Sequence, residues 1–171
     1  MMNEKIEAAL NAQVNKEFFS SYLYLSMSSY FASKSLNGVA NWMKIQADEE
    51  HLHASKFYAY ILQKGGRVVL KAIEAPKTEW KSVLDAYEDT YAHEKLITAS
   101  IDELVNLSLE VKDHATNIFL QWFVTEQVEE EANVTKIIDD LKMIGDNNYG
   151  VLMLDRELGA RQPAPQTSAA A

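Results

Sequence analysis

Four glutamates of this chain stand where a helix would bury an apolar side chain. Read at seven-residue steps, the sequence gives Leu10-Glu17-Tyr24-Phe31, Met43-Glu50-Phe57, Tyr87-Glu94-Ile101 and Phe123-Glu130-Ile137. Two helical turns return a side chain to nearly the same face. Each glutamate therefore sits in a stripe otherwise built for a core. A buried carboxylate is too costly to leave alone; it pairs, protonates or binds a metal. His53 follows Glu50 at i+3, so a carboxylate oxygen and an imidazole nitrogen reach one ion from the same face. Glu49 and His51, adjacent to Glu50, chelate that ion less easily.

Gln127 stands three residues before Glu130 and keeps register with Leu120, Val134 and Leu141. Its amide can orient a ligand or hold a water without adding charge. Tyr24 shares the face of Glu17. It is either a core aromatic with a satisfied hydroxyl or a hydrogen-bond partner and electron donor beside the metals. The charges sum simply. Glu17, Glu50, Glu94 and Glu130 supply four negative charges, and two divalent ions cancel them, which a low-dielectric interior requires. Oxygen and nitrogen ligands without sulfur suit non-haem iron, and by the same logic zinc or manganese.

The elements that must carry these residues are all helical. Prolines occur only at 76, 163 and 165, leaving two long stretches free of the strongest helix breaker. The pattern predicts helices over about 4–34 and 38–64, with a turn near Ser35 to Gly38 and Asn37 as the second cap. Gly65-Gly66 closes the second helix. Residues 67–77 read as an extended crossover, long for a helix connection, which lets the third helix start at the same end as the second. Thr78 is the expected cap of a third helix over about 79–107. A fourth runs from near Asp113 to about Ile144, and Gly145 ends it. Asp146 is the expected cap of a short fifth helix, about 147–158. Residues 1–159 thus form one all-α unit, a four-helix bundle with a long crossover and a fifth C-terminal helix. Residues 160–171 read as a disordered tail.

The totals fit. A chain of 171 residues with 47% hydrophobic content buries one ordinary core. A net charge of −9 argues against general nucleic-acid binding and suits attraction of cations. With no cysteine, disulfides, thiolate metal sites and thiol chemistry are excluded. The first ten residues lack a signal-peptide core. The longest uncharged run, Phe18 to Ser33, is short and holds six serines, so no membrane span is expected. The expected location is the cytoplasm.

Together, Glu17 and Tyr24, Glu49-Glu50 and His53, Glu94, Glu126-Gln127, Glu129-Glu130, and the phrase Leu152 to Leu158 resemble the prokaryotic non-haem ferritins from Glu4 to Gly159. The resemblance implies a ferritin-like fold and an iron-storage protein with ferroxidase activity. Glu17, Glu50 and His53 would bind one iron and Glu50, Glu94 and Glu130 a second, Glu50 bridging. Glu49, Glu126 and Glu129, sharing Glu130, would form a third iron site. Twenty-four copies would enclose the ferric mineral, with the fifth helix around the four-fold axes. Two Fe(II) ions about 3.5–4 Å apart would each pass one electron to O2.

Departures from the wider family matter too. Haem-binding relatives carry methionine after the bridging glutamate; here it is His51, so no haem is expected. They also carry a second Glu-x-x-His, where this chain has Gln127 and Glu130. The two metal positions should therefore differ, the His53 side being tighter. Asn117 and Leu120 replace the acids of an animal-type three-fold inlet, and nearby Asp113 and His114 read as exposed polar residues. Trp122 reads as core packing, His93 as no ligand, and Glu131 as exposed. Two other functions compete: a non-storage di-iron oxidase or oxygenase on the same bundle, and a metal-free helical interaction protein. A single Glu-x-x-His histidine argues against the first, and four acids in core register against the second.

Overall fold

The computed structural model describes residues 2–163, and among these there are five helices and no strand. They are α1 (Glu4–Ser33), α2 (Asn37–Gln63), α3 (Val83–Glu110), α4 (His114–Ile144) and α5 (Asn148–Leu158). The interiors lack proline, and four of the five helix starts carry a side-chain cap. The Asn3 side chain accepts from Lys5 N–H, and that of Asp113 from Thr116 N–H. Gly145, with φ of 57°, ends α4 in the left-handed region that glycine enters without strain.

Three caps differ from the sequence expectation. Asn37 is the first residue of α2 rather than its cap; Leu36 holds the cap position and offers no side-chain bond. The α3 cap is Ser82, not Thr78, because Trp80 turns into the core against Phe31 and Tyr30 and keeps the chain extended that far. The α5 cap is Asn147, not Asp146; its Oδ1 accepts from Tyr149 and Gly150 N–H.

The crossover between α2 and α3 runs along α1 from one end of the bundle to the other. Asn11 donates to Arg67 O at 3.0 Å and accepts from Val69 N–H at 2.7 Å. Further along, Ser26 donates to Lys77 O and Tyr30 to Trp80 O. The chain is thereby returned so that α3 starts where α2 started. The result is two antiparallel hairpins, α1–α2 and α3–α4, with α5 seated on α2.

The apolar interior divides into two clusters. One gathers Tyr24, Met27, Phe31, Met43, Ala47, Tyr87 and Val134. The other gathers Leu10, Val14, Phe57, Ile61, Ile97, Ile101 and Phe123. Between them, at one level of all four long helices, lie Glu17, Glu50, Glu94 and Glu130. No described helix is long and apolar enough to cross a membrane.

Candidate metal centre

All four glutamates of the heptad stripes are buried, as are His53, Gln127 and Tyr24. One ligand atom from each of Glu17, Glu50 and His53 lies within 4.8 Å of the other two. His53 Nδ1 stands 3.1 Å from Glu50 Oε2. Glu50 and Glu130 are joined through the buried Gln46, whose Nε2 donates to Glu50 Oε1 at 3.2 Å and to Glu130 Oε2 at 2.8 Å. Glu94 accepts from the Tyr24 hydroxyl and from Gln127 Nε2, the latter at 3.0 Å. Gln13 Nε2 donates to Glu17 Oε1 at 2.7 Å and is itself held by Ser100 at 2.8 Å. Every carboxylate thus has a neutral donor behind it, and Glu94 has one on each oxygen, Tyr24 on Oε1 and Gln127 on Oε2.

The electrostatics of the site disfavour the acids as bare anions. Among the described residues, no lysine or arginine forms an ion pair with any of the four. Glu17 Oε2 is buried with no hydrogen-bond partner among the described residues, a cost that a water or a cation at that oxygen would remove. Burial, then the Glu50 charge, pushes Glu17 up to about 8. Burial and the Glu94 charge push Glu130 up to about 7. Glu50 is raised well above the carboxylate range by burial and by Glu94 and Glu130. Glu94 is raised by burial against the pull of Tyr24 and Gln127. Four acids disfavoured as bare anions, one imidazole and an unsatisfied oxygen are a donor set for hard divalent cations such as ferrous iron.

The further acids are placed less uniformly. Glu49 is half-buried and forms an ion pair with Arg161 at 2.6 Å. Glu126 is half-buried and Glu129 exposed. A metal ion at Glu49 must therefore displace a guanidinium already there.

Several neighbours differ from expectation. Trp122 is 40% exposed rather than core. Its ring presents one surface to the Lys56 ammonium and lies 5.4 Å from the His53 ring. Asp113, read as exposed, is half-buried because it caps α4 and pairs with Lys64 at 2.6 Å. Glu131 is half-buried, accepting from Thr98 at 2.6 Å. His93 bonds Ser20 at 2.7 Å, and burial lowers it to about 4, a neutral imidazole turned away from the centre. Arg161 falls in the stretch expected to be structureless, yet it docks on α2; residues 164–171 of that stretch lie outside the described residues.

Gln13 and Gln46 escaped the sequence reading. Their signal was present: Ile6-Gln13-Ser20-Met27 and Val39-Gln46-His53-Tyr60 are heptad lines with a polar residue in core register. Each also stands four residues before a liganding candidate.

The family model for the ferritin-like domain matches residues 7–144. A probable bacterial non-heme ferritin-like protein of Haemophilus influenzae is 42% identical over 159 residues, covering 93% of this chain and 96% of its own. A bacterial non-heme ferritin of Bacteroides fragilis is 41% identical over 161 residues, 94% of this chain and all of its own. Among solved structures, the open-pore ferritin of the hyperthermophilic archaeon Archaeoglobus fulgidus superposes with a TM-score of 0.94 at 49% identity, over 95% of this chain and 99% of that one. A form of that ferritin engineered to be closed matches with the same score at 48% identity, over 96% of this chain and 100% of its own.

Proposed function

Because this chain belongs to the ferritin family, we propose that it oxidises Fe(II) with O2 at the buried carboxylate centre and stores the ferric product in a 24-subunit cage. The observation that carries the reading is the uncompensated quartet Glu17, Glu50, Glu94 and Glu130 with His53 beside it, all within the core.

In this reading iron is the substrate. One Fe(II) takes Glu17, Glu50 and His53; the second takes Glu94 and Glu130 and shares Glu50. Each ion displaces protons from carboxyls that burial keeps protonated toward neutral pH. Gln13, Gln46, Gln127 and the Tyr24 hydroxyl hold the ligands in place as the protons leave. The two ions together supply two electrons to O2, one each, and with two of the protons the carboxyls release the oxygen leaves as hydrogen peroxide. The ferric product then passes to the interior for mineralisation. Glu49, Glu126 and Glu129 form a third iron site in the proposal, on condition that Arg161 moves off Glu49.

Assembly is supported by apolar surface left open on the single chain. Leu70 and Ile73 of the crossover and Tyr22 and Leu25 of α1 are exposed, as are Met143, Tyr149 and Met153 around α5. Patches of this kind mark protein–protein contact. Cytoplasmic residence is part of the proposal.

The test is aerobic addition of Fe(II) to the assembled protein, following O2 uptake, iron retained per particle and elution volume. Replacing Glu50 and Glu130 together by alanine should abolish rapid oxidation while leaving the particle size unchanged. Undiminished O2-consuming turnover in that double variant would defeat the reading.

A further inference from the structure

Arg161 lies three residues beyond the end of α5, yet its guanidinium is drawn over α2 behind the metal centre. Nη2 donates to Glu49 Oε2 at 2.6 Å, and Nη1 to Gln46 Oε1 at 3.0 Å and Trp42 O at 3.3 Å. Its guanidinium carbon sits 4.5 Å from the Trp42 ring centroid, and its own carbonyl accepts from Asn41 Nδ2 at 3.2 Å. Backbone and side chain are both anchored.

The fifth helix delivers it there. The Asp155 carbonyl approaches Gly38 so closely that a Cβ on Gly38 would lie 1.5 Å from the oxygen. Only glycine lets the start of α2 and the end of α5 meet at this distance.

The consequence falls on Gln46. A primary amide has one accepting end and one donating end, whereas a guanidinium only donates. Arg161 therefore claims Oε1, and Nε2 is turned toward Glu50 and Glu130. The terminal amide torsion is broad and roughly two-fold. Without the guanidinium, rotation would aim an accepting oxygen at two carboxylates. We propose that Arg161 is a positioning residue of the metal centre: it locks the Gln46 amide so that Glu50 and Glu130 are held as a pair for the ion they share. This rests on reading the quartet as metal ligands.

The experiment uses Co(II), which is not oxidised by O2 at such a centre on the timescale of a titration, followed by calorimetry and by its visible absorption. All proteins are assembled, and each is made both with Glu49 and with Glu49→Gln, so that ligation by a freed carboxylate is separated from loss of the Arg161 ion pair. The comparison covers the parent, Arg161→Met, Arg161→Lys, Gln46→Leu and the Arg161→Met/Gln46→Leu pair. Partners directly behind a metal ligand typically govern affinity by roughly 10–100-fold, so one bond further out Arg161→Met should weaken the second Co(II) by about threefold to tenfold. Lysine should restore only part of the loss, because it lacks the planar fork. In the Gln46→Leu background, Arg161→Met should add nothing.

A lowered thermal midpoint with unchanged Co(II) affinity would overturn the inference and leave Arg161 as a mere tail anchor. An equal penalty with and without Gln46 would overturn it as well. A parent that binds no Co(II), or whose binding survives Glu50→Ala, would instead remove the metal reading itself, so the two failures are distinguishable.

Discussion

Asp155 of α5 caps α2: its Oδ1 accepts the Val39 N–H at 2.9 Å, across 116 residues of sequence. A helix start usually finds its acceptor in its own cap residue, and here Leu36 has none to give. Asp155→Ala should therefore cost about 1 kcal/mol, a usual capping value. Asp155→Asn should keep most of it. Gly38→Ala should cost more, by about 1–3 kcal/mol as for an overfilled core, because the clash is with backbone. Urea midpoints for the three variants check the order.

Chelator-treated protein should lose stability as pH rises. Glu17 and Glu130 have folded values of about 8 and about 7, above the ordinary 4.5. An acid raised on folding binds more protons folded than unfolded. Its contribution is fully present below about 4.5 and is lost as pH climbs through the folded value. The thermal midpoint should accordingly fall between pH 5 and pH 8, with Glu50 and Glu94 adding in the same direction. A divalent ion should reverse the trend by occupying the anionic form. Metal addition at pH 7 should release protons, measurable by titration in two buffers of different ionisation heat.

The two metal positions should fill in order. His53 serves only the Glu17–Glu50 side, while Gln127 spends its amide on Glu94. His53→Ala should weaken the first ion by more than about tenfold, since even partners behind a ligand count for roughly 10–100-fold. Two equal sites in the parent chain would count against this asymmetry.

Trp122 should report occupancy. Its ring lies 5.4 Å from that of His53, while Trp42 and Trp80 are buried in the cluster of Tyr24, Met27 and Phe31. Binding of a paramagnetic divalent ion should quench fluorescence in the parent chain, and Trp122→Phe should remove most of the change. Lys56→Met should shift the emission with at most about 1 kcal/mol of stability lost, the value of an exposed cation–π contact.

The sequence was most readable where period and chemistry conflicted. Glutamate in an apolar heptad line marks a core position whatever the neighbours, so the level of the quartet and the helices bearing it could be read directly. Gly65-Gly66 and Gly145 ended their helices for a local reason, the left-handed φ of Gly65 and Gly145. The α2 and α3 starts were misplaced for non-local reasons: α2 draws its cap from Asp155, and α3 is delayed by the packing of Trp80. Arg161 is the extreme case. Nothing in an Ala-, Pro- and Gln-rich ending announces that one guanidinium folds back onto Trp42 and Glu49.

The interior of this bundle is two greasy compartments with an acidic storey between them. The two apolar clusters are separate among the described residues, so at that storey neighbouring rods meet through the acids and the neutral side chains bonded to them rather than through apolar packing. A ferrous pair passing through would rivet the four rods to one another there and, on leaving, unfasten them. Amide exchange at mid-rod should slow and quicken with iron traffic while both ends stay quiet.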